Sequence, residues 1–263
     1  NNFEKYSEIS QELKNKIIAL YKNEDGTFAD RSQTSYVFAI YFELSEDGKS
    51  LTKELAEKLI LSDYEIKCGI FGTSMTYEIL AKYGHNDIIY KWLHSPKGFS
   101  QMLLNDETTL KEFFGDNSKG SENHAMFSSY VQWFFQGLGG INISADSFGA
   151  DNILIKPYFE EKITYVKSKY ESVKGSIVSN WTKEDGVINL HLELPQNLKK
   201  CLLGIENKYK QFRDLNKILI KPCVEELNKK SDLAVTVETI KKGRTVVALH
   251  FRFKEDKQIK MTI

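Results

Sequence analysis

Glu112 closes the run Asp106-Glu-Thr-Thr-Leu-Lys-Glu112, and Glu122-Asn-His-Ala-Met-Phe127 then sets Asn123 and His124 at the head of an aromatic, helix-patterned segment. A positioned carboxylate can take a proton from water. An imidazole can donate to a hydroxyl while its ring packs against an apolar face, and a neighbouring amide adds a donor and an acceptor. Together these residue types suit hydrolysis of a hydroxyl-rich substrate such as a sugar. Taken alone, Glu112 also reads as a solvated loop carboxylate and His124 as a half-buried histidine at a helix start.

A second group of residues suits a different chemistry. Lys208, Lys210, Arg213, Lys217 and Lys221 recur along one predicted helix, and Lys241, Lys242 and Arg244 cluster at a predicted hairpin tip. A cationic helix beside a cationic tip can neutralise phosphates, with an affinity that falls as salt rises. Such contacts position a nucleic acid without reading its sequence. The plainer alternative is a solvated basic helix and a turn-forming Lys-Lys-Gly-Arg. The charge balance follows the same division. Residues 1–196 hold 20 Lys and Arg against 28 Asp and Glu, whereas residues 197–263 hold 16 against 8, so a formal net charge of zero hides an acidic and a basic part. That asymmetry suggests different partners for the two parts.

Cys68, Cys201 and Cys223 are odd in number and widely spaced, with no Cys-x-x-Cys, which points to reduced core thiols. His85 and His94 lack partners at metal-ligand spacing. Neither a metal nor a cofactor is expected. No apolar run approaches the roughly 18 residues of a membrane helix, so no membrane partner is expected. The N-terminus has no signal-peptide layout, which favours the cytoplasm. Asn1 in place of an initiator Met makes the chain read as a fragment.

The elements that must position these groups are legible from periodicity. Apolar residues at helical spacing predict helices over 4–22, 34–44 (capped by Ser32) and 51–64, the last with Leu51, Leu55, Leu59 and Ile60 on one side. Shorter helices are expected over 73–83 and 87–93. A long loop over 94–121 carries a short helix near 109–114, and one helix spans 123–138, with Phe127, Trp133, Phe134 and Phe135 as core. Alternation then predicts strands over 153–157, 163–169, 175–181 and 187–194. The segment after Pro195 reads as helix (198–203), turn at Gly204, long basic helix (209–229) and two strands (233–240 and 245–254).

Seven pieces in order from Gly26 to Pro195 resemble the C-terminal part of a bacterial α-L-rhamnosidase of glycoside hydrolase family 78. They are Asp30-Arg-Ser-Gln-Thr-Ser-Tyr36, Gly69-Ile-Phe-Gly-Thr73, Tyr83-Gly-His-Asn-Asp87, Glu107-Thr-Thr-Leu-Lys-Glu112, Asn123-His-Ala-Met-Phe127, Trp133-Phe-Phe135 and Gly139-Gly-Ile141. The resemblance implies later hairpins of an (α/α)6 barrel followed by an antiparallel β domain. It implies a rhamnose-containing glycoside as substrate, with Glu112 as the general base, Asn123 and His124 as sugar contacts and Phe99 in an aromatic wall. An inverting pair needs a second carboxyl roughly 6.5–9.5 Å away to protonate the leaving oxygen. In this family that acid sits in the earlier half of the barrel, which this chain does not contain, so the chain is expected to be inactive alone. Lys111 precedes Glu112 where family members usually carry an aromatic residue.

Residues 198–254 resemble the winged helix of plasmid replication initiator (Rep) proteins. The carriers are Leu198-Lys-Lys-Cys-Leu-Leu-Gly-Ile205, Lys208-Tyr-Lys-Gln-Phe-Arg-Asp214, Glu225-Glu-Leu-Asn-Lys-Lys-Ser-Asp-Leu233 and Ile240-Lys-Lys-Gly-Arg244. This implies the latter part of an initiator's N-terminal winged helix and DNA as a possible partner. The expected architecture is α+β and multi-module. It comprises a partial (α/α)6 barrel (1–145), an incomplete antiparallel β domain (146–196) and an incomplete winged-helix-like basic module (197–263). The abrupt join near 194–198 suggests a chimeric chain. A sheet cut there would leave its last strand as an open edge.

Overall fold

The computed structural model describes residues 2–106, 108–114, 120–144, 147, 149–150, 152–195, 216–230, 233–243 and 245–255. Two compact units divide the chain between Trp133 and Phe134.

The first unit is helical: α1 (Asn2–Tyr21), α2 (Gln33–Tyr41), α3 (Gly48–Leu61), α4 (Ile70–Lys82) and α5 (Asn86–His94). The starts of α2 and α3 follow from short polar residues. The Ser32 hydroxyl accepts from the Ser35 N–H at 3.2 Å, and the Asp47 carboxylate accepts from the Ser50 N–H at 2.9 Å. Each satisfies a donor that the first turn leaves open. Helices α2 to α5 pack on one another through Val37, Ile40, Leu55, Leu59, Leu80, Ile89 and Trp92, all buried. Gln33 fixes the approach to α4. Its amide donates to the Glu65 carbonyl and accepts from the Lys67 N–H, both at 2.8 Å. Helix α1 differs from the others, because none of its residues is buried.

Several expectations need correction here. Ile60 lies outside the α3 stripe at 49% exposure, and Thr52 and Ala56 complete the buried face instead. At 100° per residue, position 60 falls opposite position 51. The short helix near 109–114 is absent, and a 3-10 helix runs over Phe99–Asp106. The helix expected over 123–138 is broken into a 3-10 turn (Ala125–Ser129), one α turn (α6, Tyr130–Trp133) and a π turn (Phe134–Leu138). Phe127 and Trp133 are core, as expected, but Phe134 and Phe135 are exposed. Cys68 is a buried free thiol whose pKa burial raises, whereas Cys223 is exposed rather than core, and Cys201 lies outside the described residues.

The second unit is built on antiparallel strands. A short pair, β1 (Ile141–Ile143) and β2 (Ile153–Ile155), precedes a five-stranded sheet. That sheet contains β3 (Tyr165–Ser172), β4 (Gly175–Glu184), β5 (Val187–Glu193), β6 (Leu233–Lys242) and β7 (Thr245–Glu255) in the order β3-β4-β5-β7-β6. Asp185 and Gly186, both at positive φ, make the two-residue turn between β4 and β5, as the right-handed twist of the flanking strands favours. Gly140 (φ +71°) leads into β1, where a Cβ would stand 2.1 Å from the Pro157 nitrogen. No larger residue fits that approach.

The expected open edge does not exist. Strand β7 pairs with β5 from Val187↔Lys254 to Glu193↔Ala248, so the C-terminal hairpin continues the sheet. Phe251 and Phe253 pack against the buried cluster of Trp181, Leu190 and Leu192. The Trp181 indole donates to the Leu138 carbonyl at 2.8 Å, which satisfies its one polar atom inside the core. Before the hairpin, a π turn (Asn216–Ile220) runs into α7 (Lys221–Lys230). From α7, the Asn228 amide accepts from the Val235 N–H at 2.6 Å and donates to the Val235 carbonyl at 3.0 Å. A side-chain amide thus stands in for a neighbouring strand on the outer edge of β6. The helix expected over 198–203 and residues 209–215 of the helix expected over 209–229 lie outside the described residues, and the described remainder of the latter is the π turn followed by α7.

Candidate functional site

Two stretches of the helical unit carry the residues singled out for hydrolysis, and backbone bonds tie them together. The Glu112 N–H donates to the Ser121 carbonyl at 2.9 Å, and the His124 N–H donates to the Leu110 carbonyl at 2.6 Å. The Thr109 hydroxyl donates to the Glu122 carbonyl. These bonds form a short antiparallel clasp with Glu112 on one arm and Asn123 and His124 on the other.

Within the clasp the Glu112 carboxylate is held at one oxygen. Oε2 accepts from the Ser121 N–H at 2.9 Å, and Oε1 has no hydrogen-bond partner among the described residues. A carboxylate anchored at one oxygen is held in one orientation with the other oxygen open. The Ser121 hydroxyl in turn donates to the Asn123 carbonyl at 3.3 Å and accepts from the Asn123 N–H at 3.2 Å. The Asn123 side chain is exposed. The His124 Nδ1 is buried and has no hydrogen-bond partner among the described residues.

An aromatic layer supports the clasp. The Phe114 ring meets Phe127 at 4.8 Å and Phe99 at 6.0 Å between centroids, and Phe99 meets Tyr130 at 4.5 Å. Phe99 is 3% exposed and belongs to this packed layer. Gly98 lets the chain turn into it, because a Cβ there would fall 2.0 Å from the Trp92 carbonyl oxygen. Ser121 was not singled out from the sequence, although it touches both arms. A serine two residues before an Asn-His pair carries no signal of its own.

The basic residues divide between described and undescribed positions. Lys217, Lys221, Lys241 and Lys242 are exposed, on the π turn, the start of α7 and the end of β6. Lys208, Lys210, Arg213 and Arg244 lie outside the described residues. Among the described residues no group of three or more His, Cys, Asp or Glu side chains could hold a metal ion. No described helix is long and apolar enough to cross a membrane.

Packed helical hairpins followed by antiparallel sheets, with a carboxylate and a histidine clasped at the end of the helical unit, define a chain of the six-hairpin glycosidase class. The bacterial alpha-L-rhamnosidase 6 hairpin glycosidase domain matches residues 1–138, and the chain belongs to that family. The bacterial alpha-L-rhamnosidase C-terminal domain matches residues 140–211. An alpha-L-rhamnosidase of Formosa agariphila is 30% identical over 187 residues, covering 66% of this chain and 19% of that protein. Among solved structures, an alpha-L-rhamnosidase from Dictyoglumus thermophilum superposes with a TM-score of 0.72 at 20% identity, over 96% of this chain and 29% of its own. One from Streptomyces avermitilis, complexed with L-rhamnose, gives 0.67 at 17% identity over 95% of this chain and 24% of its own. The chain spans about a fifth of the length of the curated relatives it matches.

The WH2 domain of the initiator Rep protein matches residues 198–253. The residues of this segment suggest an initiator's N-terminal winged helix, whereas the family model that matches is of WH2. This match overlaps the rhamnosidase C-terminal match over residues 198–211. A superposition over 96% of the chain leaves too few residues aside to omit the hairpin β6–β7. The C-terminal strands therefore take part in the rhamnosidase-like fold.

Proposed function

We propose that this chain carries the base side of an inverting α-L-rhamnoside hydrolase, with Glu112 as the residue that activates water. The observation that carries the reading is the clasp: one carboxylate oxygen is fixed by the Ser121 N–H, and His124 is tied to the opposite arm. Asn123 and His124 contact sugar hydroxyls, the unpartnered His124 Nδ1 being the group that a hydroxyl satisfies. Phe99 backs the site from the aromatic layer. The general acid belongs to the part of the barrel that these residues do not include, so residues 1–263 alone do not turn over. The test is a graft of residues 106–127 in place of the matching segment of the Formosa relative. Hydrolysis of an aryl α-L-rhamnoside should survive the graft and fall about 10²–10⁴-fold with Glu112→Gln, the range for losing a positioned general base. A Gln variant as active as the parent graft would remove Glu112 from the chemistry.

A second reading rests on the initiator match together with the exposed Lys217, Lys221, Lys241 and Lys242. Here the C-terminal segment is of winged-helix origin, joined to a rhamnosidase-derived chain, and binds DNA through phosphate contacts. A gel shift on duplex DNA should weaken steeply between 50 and 200 mM salt, the range over which counterion release acts. Lys241→Ala with Lys242→Ala should flatten that salt dependence. Absence of any shift at low salt removes this reading.

A further inference from the structure

We propose that Gly120 is a positioning residue: its bare backbone sets the Ser121 N–H on Oε2 of Glu112 and so makes Oε1 the oxygen that meets water. This inference rests on the reading of Glu112 as the base and adds the residue that orients it.

The first observation is a diverted backbone bond. At a hydrogen-bonded pair of antiparallel strands, two facing residues exchange both of their backbone bonds. Across the clasp the Glu112 N–H donates to the Ser121 carbonyl at 2.9 Å. The Ser121 N–H does not return that bond to the Glu112 backbone. It donates to the Glu112 side chain instead, at Oε2 and 2.9 Å. This N–H belongs to the planar peptide that joins Gly120 to Ser121, so the Gly120 torsions set its direction. Gly120 stands at φ +145°, a conformation that glycine enters without a steric cost and that strains any other residue.

The second observation is the space beside the glycine. A Cβ on Gly120 would stand 3.1 Å from Oε2 of Glu112, and 2.9 Å and 3.1 Å from Cε2 and Cδ2 of Phe113. The carboxylate and the ring therefore lie against bare backbone. Phe113 is 47% exposed, so its ring can swing aside. Oε2 has no such freedom, because withdrawing from a Cβ would stretch its bond to the Ser121 N–H.

The third observation is that the two arms cannot slide to relieve the strain. The Thr109 hydroxyl holds the Glu122 carbonyl, and the His124 N–H holds the Leu110 carbonyl. The Ser121 hydroxyl is bonded to the Asn123 backbone as well. A carboxylate free to rotate presents either oxygen to water. One charge-assisted bond to a fixed N–H selects Oε2 as the anchor and leaves Oε1 outward.

The test has two readouts. In the graft of residues 106–127 into the Formosa relative, Gly120→Ala should lower kcat on an aryl α-L-rhamnoside about 10²-fold, as for a catalytic group displaced by about 1 Å. KM should stay within about twofold, because the loss falls on the transition state. Adding Phe113→Ala should not restore kcat, since the approach to Oε2 and the positive φ both remain. In the full chain carrying isotope-labelled serine, the Ser121 amide resonance should move in Gly120→Ala in the same direction as in Glu112→Ala, with circular dichroism unchanged. That resonance does not depend on turnover, so this inference and the base reading fail separately, the latter being decided by Glu112→Gln. An unmoved Ser121 resonance, an unchanged kcat or a loss confined to KM overturns the proposal. Recovery of kcat by Phe113→Ala overturns it equally, because the glycine would then serve the ring and not the carboxylate.

Discussion

Helix α1 (Asn2–Tyr21) and the hairpin β6–β7 stand at opposite ends of the chain, and their packing runs against the family matches they fall in. The helix lies inside the stretch that matches the six-hairpin glycosidase domain, yet none of its residues is buried. The hairpin lies beyond the rhamnosidase C-terminal match and inside the initiator match, yet β7 pairs with β5 over seven positions and delivers Phe251 and Phe253 to the Trp181 cluster. Burial and hydrogen bonding say what depends on a segment. A strand edge accepts any chain of suitable register and alternation, because its backbone groups are not specific to sequence. A helix face accepts only a surface shaped to it. A hairpin can therefore complete a sheet more easily than it could complete a helical barrel.

The largest effect that could break this comparison is removal of residues 196–263. If the hairpin is structural, the truncated chain loses two of the five strands and the aromatic cover of Trp181. Its sheet unit should lose cooperative unfolding and aggregate through the bared β5 edge. Hydrogen exchange at β3–β5 measures this directly. Protection that survives truncation would mean that the hairpin is an appendage and that the two ends of the chain are equally dispensable.

A smaller effect sharpens the same point at one residue. Asn228 satisfies both backbone groups of Val235, a residue only 3% exposed, on the outer edge of β6. Asn228→Ala leaves a buried donor and acceptor without these partners and should cost about 1–3 kcal/mol in urea-unfolding stability. It should also raise self-association, because that edge is no longer blunted. Asn228→Asp separates the two roles, since it keeps the acceptor for the Val235 N–H and loses the donor to the carbonyl. Stability equal to wild type in both variants would make the amide bonds incidental.

How much of this was readable from residues alone varies along the chain. Helices α2 to α5 were legible because their apolar residues recur at helical spacing and Ser32 offers a cap. Ile60 was assigned to the wrong face. Strands β3 to β7 were legible from alternation, but the neighbour of β7 was not: alternation predicts that a segment is extended and leaves its partner open. The helix expected over 123–138 failed because a period of 3.6 does not distinguish an α-helix from 3-10, α and π turns in succession. Gly137, Gly139 and Gly140 give the chain the freedom to change pitch and stop there. For the site, Glu112 and His124 came from ordered family motifs, and no local pattern joins them. Their clasp depends on Ser121 and on backbone bonds, which have no signature in side-chain types.

The smallest effect lies inside the well-packed part of the helical unit and shows how it differs from bare α1. The Tyr36 hydroxyl, on α2, donates to the Glu54 carboxylate of α3 at 2.7 Å, and the ring is 5% exposed. Burial, and then the bond to Glu54, push the phenol up to about 12. An unfolded tyrosine loses its proton near pH 10. Between those two values the unfolded chain releases a proton that the folded chain retains, which favours unfolding. The stabilising contribution of Tyr36 is therefore complete below pH ~10 and is lost as pH rises towards ~12. Tyr36→Phe should cost about 1–2 kcal/mol at neutral pH, for one hydrogen bond to a charged group. The difference between wild type and variant in urea midpoint should shrink steadily from pH 10 upward. A difference that stays constant to pH 12 would mean that the phenol ionises equally in both states and that the α2–α3 contact is open to water.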